Sequence, residues 1–185
     1  LDNVINTDGE INFTSAAYSN NSFSSITNML FYDSTMFGLA GQDYISSTLN
    51  NISLVRVIDF YRLYYKDPAL SLGADTVFFT VIAAHLKAGN STSNSNIRED
   101  AIRAAMDYLT KNVGDENVIF TGDLNVYGSN EGAYQELVNY SVASERFVDP
   151  GVAGSWHNNS TFATLHTQST HSTSSGCFSG GGMDD

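Results

Sequence analysis

Cysteine occurs once in this chain, at Cys177, so no internal disulfide is possible and the lone thiol says nothing about a redox compartment. Basic residues are nearly as scarce. Eight of them, Arg56, Arg62, Lys66, Lys87, Arg98, Arg103, Lys111 and Arg146, stand against 20 acidic residues, for a formal net charge of −12. They are spread along the chain, which excludes a basic nucleic-acid face; a polyanion would have to be met at a local site or through a bound cation. No segment approaches the roughly 18 apolar residues of a membrane-spanning helix. The opening LDNVINTDGE has neither the basic start nor the apolar core of a signal peptide. Cys pairs, HExxH spacing, a Gly-rich P-loop and a GxSxG elbow are all missing, which argues against zinc, nucleotide-cradling and serine-nucleophile chemistries.

Of what is there, Asn, Ser and Thr dominate the polar residues and Lys is rare, a composition suited to an extracellular or cell-surface protein. The triplets Asn51-Ile-Ser and Asn90-Ser-Thr follow from that bias and say little about glycosylation. With 185 residues and 42% hydrophobic content the chain can bury one sizeable core, so residues 1–185 read as a single domain. It contains no internal repeat.

Apolar periodicity predicts strands in NMLFYD from Asn28, in VRVIDFYRLYY (Val55 to Tyr65), and in TVFFTVIAAH (Thr76 to His85). The last is apolar on both faces, as in a covered sheet. Asn96 with Glu99 predicts a capped helix whose stripe is Ile97, Ile102, Ala105, Met106 and Leu109, with Gly114 as its stop. A strand over Asn117 to Thr121 and a short helix over Asn130 to Tyr140 follow, the latter turning Ala133, Tyr134, Leu137 and Val138 inward. Beyond Asp149-Pro150 the chain is a polar Ser/Thr/His/Gly series ending in SGGGMDD. Both ends read as unfinished: LDNVI has the pattern of the last turns of an amphipathic helix, and a long polar tail predicts further chain or a tail pinned to a site.

Candidate chemistry gathers at two predicted strand ends. VIFTGDLN places Asp123 and Asn125 just past an apolar strand, one residue apart, so an extended segment would point both the same way. A carboxylate can hold a divalent cation or orient a water, and a neighbouring amide can donate to a phosphate oxygen. The plainer alternative is a turn, since Gly, Asp and Asn all favour one. His85 ends the preceding apolar strand, and a helical crossover between two such strands makes them parallel with both ends on one side. Together the two strand ends outweigh the turn reading. His157, His166 and His171 read as loop histidines and Cys177 as an inert thiol.

The order NMLFYDSTMFG, FFTVIAAHLKAG, a helix, VIFTGDLNVYGSNEGAYQEL, RFVDP and GGGMDD resembles the endonuclease/exonuclease/phosphatase family, the DNase I-like fold, from Asn28 onward. The likeness is strongest to secreted members from Bacteroidetes-type bacteria. It implies a four-layer α/β sandwich, incomplete in this chain and lacking the family's first and last strands. It also implies metal-dependent cleavage of phosphate esters with Mg2+ or another divalent cation such as Mn2+ or Ca2+. Carried over by the motif, Asp123 would orient the attacking water near the metal, Asn125 would hold the scissile phosphate, and His85 would stabilise the charge developing on it; Asp123 and Asn125 are the candidate metal residues. The family's metal-binding Glu comes from an earlier strand, for which Glu10 is a poor substitute. Its later Asp and terminal Asp-His pair would come after GGGMDD, and Asp184 and Asp185 are not assigned to them.

Three functions are compatible with this pattern. The first is an extracellular endonuclease acting on nucleic acid or another phosphodiester. The second is a catalytically inactive component that keeps the fold and binds a cell-surface protein partner. The third is a phosphomonoesterase or lipid phosphodiesterase, which a site-facing aromatic such as Trp156 would help to define.

Overall fold

The computed structural model describes residues 12–21, 24–114, 117–151, 153–157, 159–162 and 164. LDNVI, Glu10, His166, His171, Cys177 and GGGMDD lie outside the described residues. The fold is mixed α/β. Strands β3 (Phe37–Ser47), β4 (Ser53–Tyr65), β5 (Phe78–His85) and β6 (Asn117–Asp123) form one sheet in that spatial order. β1 (Phe13–Ser15) and β2 (Phe31–Asp33) form a small antiparallel pair. Helices α1 (Thr92–Asn112) and α2 (Gly132–Val138) complete the set.

β3, β4 and β5 run antiparallel, but β5 and β6 are parallel because α1 carries the chain back across the sheet. Strand alternation divides the apolar residues between two faces. Ile58, Phe60, Ile82 and Ala84 pack with Ile102, Ala105, Met106 and Leu109 of α1 and Ala133 and Leu137 of α2. Tyr61, Leu63, Val81 and Ala83 look the other way, towards Ala16, Leu30 and Tyr32. Helices, sheet and second small sheet are thus three of the layers expected of the sandwich. Arg103 ties the helices together, reaching Glu99 on its own helix at 2.5 Å and Glu136 on α2 at 2.8 Å.

Several boundaries differ from the sequence expectation. NMLFYD is strand only from Phe31; Asn28 is instead spent as a side-chain bridge, its Nδ2 donating to Val57 O, Ala83 O and Asp59 Oδ2. The helix begins a turn before Asn96, capped by Ser91, whose Oγ accepts the Asn94 N–H at 3.2 Å. Glu99 consequently serves Arg103 rather than a capping box. The inner stripe passes through Arg98 and not Ile97, which is 38% exposed. β6 runs two residues past Thr121, so Asp123 closes the strand instead of following it. α2 is shorter than Asn130 to Tyr140, but Ala133 and Leu137 are buried as expected, with Tyr134 and Val138 packed beside them.

Candidate active site

β5 and β6 are held in register through seven residue pairs, the last of which is His85 with Asp123. Both side chains therefore emerge at the C-terminal rim on the face away from the helices, the face of Val81 and Ala83. His85 Nε2 lies 3.4 Å from Asp123 Oδ2, and the Asp123 side chain is 40% exposed. Leu86 N–H donates to Asp123 O at 2.9 Å, carrying the parallel ladder one step beyond the strands.

Gly122 explains why the motif begins with glycine. Its φ is +129°, and a Cβ there would lie 1.9 Å from Ala84 O on the neighbouring strand. Only glycine lets the two backbones approach closely enough for the next residue pair to meet. Asn125 then takes a left-handed backbone with φ 50°, a conformation asparagine tolerates better than most residues. Its N–H donates to Asp123 Oδ1 at 3.2 Å, and its buried side chain donates from Nδ2 to Leu86 O at 3.4 Å. The segment is thus turned at Asn125, not extended, and both polar side chains converge on the end of β5. The turn and the site are one structure.

Arg56 on β4 stands behind the rim, donating from one terminal nitrogen to Leu86 O at 2.9 Å and His85 O at 3.3 Å. Its buried Nε has no hydrogen-bond partner among the described residues. Burial and then the Arg56 charge push the His85 pKa below its usual value, while Asp123 pulls it back only in part. The imidazole is accordingly neutral near neutral pH. A 560 Å³ concavity lined by Leu109, Val118, Phe147 and Val148 lies at the opposite end of β6 and involves none of these groups.

Trp156 is buried rather than site-facing, with Nε1 donating to Val126 O at 2.6 Å. His157 packs edge-on against Tyr127, ring centroids 4.2 Å apart, beside the loop that carries Asn125. Arg56, Tyr127, Arg98 and Glu131 were not singled out from the sequence. Of these only Arg98 carried a signal, its charge standing one turn before the apolar series at 102, 105 and 109.

No family model and no curated protein matches the sequence. Solved structures do. The human Nocturnin catalytic domain, determined with a bound sulfate anion, aligns over 71% of this chain and 49% of its own, with TM-score 0.54 and 16% identity. An endonuclease/exonuclease/phosphatase from Bacteroides vulgatus aligns over 70% of this chain and 49% of its own, with TM-score 0.50 and 16% identity. The chain therefore has the DNase I-like fold of endonuclease/exonuclease/phosphatase proteins, and spans about half the length of the structures it resembles.

Proposed function

We propose that the protein is a divalent-metal-dependent phosphodiester hydrolase, most simply an extracellular endonuclease acting on nucleic acid, with His85, Asp123 and Asn125 carrying its chemistry. The observation behind this reading is the meeting of His85 and Asp123 at 3.4 Å on the rim of two parallel strands, with Asn125 joined to both strand ends.

The donor set fits one edge of a magnesium, manganese or calcium site. Asp123 offers a solvent-open hard oxygen, and among the described residues the only basic side chain within ion-pairing distance of it is the neutral His85 ring. Asn125 is the second candidate ligand. Among the described residues no three His, Cys, Asp or Glu side chains stand close enough together to hold a metal ion, so further ligands must come from elsewhere in the protein, from water or from substrate oxygens. Magnesium is commonly held by one or two carboxylates with water and phosphate filling its shell. A bound cation would neutralise phosphate charge and acidify a water.

Around that centre the chain's own groups have separable tasks. Asp123 accepts a hydrogen from the attacking water and orients it. The Asn125 amide donates to a non-bridging phosphate oxygen. His85, neutral, still donates from one ring nitrogen to the oxygen on which charge accumulates. As the water oxygen bonds to phosphorus its proton passes by way of Asp123 to solvent, the ester P–O bond breaks, and the leaving oxygen takes a proton from solvent. Arg56 adds fixed positive charge behind the rim of an otherwise acidic protein, which favours an anion there. Phosphoryl transfer needs little beyond such positioning and charge neutralisation.

The test is plasmid nicking by the full-length protein with magnesium and an EDTA control. A folded protein that leaves plasmid and a simple phosphodiester uncut would remove this reading. The single rim carboxylate among the described residues favours a second one, a non-catalytic scaffold that binds a cell-surface protein. Partner binding unchanged by EDTA and by Asp123→Ala would support the scaffold. A phosphomonoesterase or lipid phosphodiesterase would be recognised by turnover of those esters in preference to nucleic acid.

A further inference from the structure

Arg98 is a fully buried cation on α1, and its hydrogen bonds lead to the site. Its Nε and one terminal nitrogen donate to Glu131 Oε2 at 3.0 and 2.6 Å. The other terminal nitrogen donates to Lys87 O at 2.7 Å and Gly89 O at 2.9 Å, both in the loop that leaves His85. Glu131 in turn accepts the Tyr127 N–H on Oε1 at 2.9 Å, in the loop that leaves Asp123 and Asn125. Tyr127 closes the circuit, its hydroxyl accepting the Gly89 N–H at 3.2 Å beneath the Arg98 guanidinium.

A buried ion pair is an inefficient way to gain stability, because desolvation offsets its attraction and an apolar pair of similar volume often serves as well. An apolar pair could not, however, hold two carbonyls of one loop and an amide of another. We propose that Arg98 and Glu131 are positioning residues: the pair sets the gap between the loop after His85 and the loop after Asp123, and so the alignment of the three reacting groups. This rests on the phosphodiesterase reading of the rim and adds to it two residues that never touch substrate.

The test uses the full-length protein with magnesium and a small phosphodiester, comparing wild type, the double variant Arg98→Met/Glu131→Leu and the single variant Arg98→Lys. Removing both charges avoids leaving one buried and unpaired. The lysine keeps the charge but lacks the fork that reaches both loops. Per folded molecule, kcat should fall about 100-fold with KM little changed, the cost of reacting groups displaced by about an ångström. Amide exchange at Gly89 and Tyr127 should quicken while Ile102 and Met106 of α1 stay protected. Wild-type kcat in the variants overturns the proposal, as does a loss of kcat in which α1 opens as much as the loops. Should the double variant fail to fold, Arg98→Lys carries both readouts. If wild type itself turns over nothing, the phosphodiesterase reading falls alone and exchange decides the clamp: unaltered protection at Gly89 and Tyr127 refutes it.

Discussion

His85 and Asp123 are register partners, the last pair on adjacent parallel strands, and their side chains meet at 3.4 Å. That meeting is a consequence of topology. A crossover through α1 makes the strands parallel, parallel strands end on the same side, and equal phase in the pleat puts both side chains on one face. A site built in this way tolerates a change of charge better than a change of register.

Asp123→Asn therefore separates chemistry from fold. The substitution preserves shape and the acceptor for the Asn125 N–H but removes the negative charge. Nicking should fall by roughly 10³-fold, the scale on which single electrostatic contributors to catalysis are lost. Circular dichroism and the thermal midpoint should change little. Wild-type turnover in this variant would exclude Asp123 from the reaction.

Gly122→Ala tests the opposite case. A methyl group at this position would meet Ala84 O at 1.9 Å, in a backbone conformation L-residues rarely adopt. Either β5 and β6 separate or the segment rotates, at a cost of roughly 2–4 kcal/mol in a denaturant titration. Activity should fall with stability, because the His85–Asp123 gap widens. A variant as stable as wild type would show that the strand approach is not what requires glycine.

The legible and illegible parts of this chain differ in physical kind. β5 and β6 could be read because Val81, Ile82, Ala83 and Ala84 are apolar on both faces, and the fate of His85 follows from where such a strand stops. β3 was not foreseen: it is an edge strand with Gly38 and Gly41, half-exposed, and register shifts at Leu39/Gly41 and Ile45/Ser47 destroy its period. The start of α1 lay hidden in a run of capping residues, Ser91 to Asn96, among which local preference cannot choose. The Arg98–Glu131 clamp spans 33 residues and depends on backbone acceptors, which leave no trace in residue identity.

Trp156→Phe should loosen the same loop from its far side. The indole N–H is the donor to Val126 O, next to Asn125, and both residues are buried. Phenylalanine fills most of the volume but leaves that carbonyl without its donor, costing about 1–3 kcal/mol. Chemical denaturation reads the loss, and a matching drop in nicking would tie it to the Asn125 turn. Unchanged stability would mean that the carbonyl finds another donor.

Asp59 provides a pH signature independent of the reaction. It is fully buried on β4, accepting hydrogen bonds from Ser19 Oγ and from Asn28 Nδ2, the latter at 3.1 Å. Burial raises its pKa above the usual 3.8, and the two hydrogen bonds only partly counter that. The folded state thus binds the proton more tightly than the unfolded chain does. Between 3.8 and the raised folded value, stability falls as pH rises, and above that window the cost of the buried charge is borne in full. Asp59→Asn cannot titrate, and its amide can still accept from Asn28 while donating to the Ser19 hydroxyl. Its thermal midpoint relative to wild type should accordingly climb as pH rises from 3.8 through the raised folded value, and level off above it. A relative midpoint that declines over that range would mean the ionised Asp59 is a net stabiliser, held by its two donors more strongly than burial opposes it.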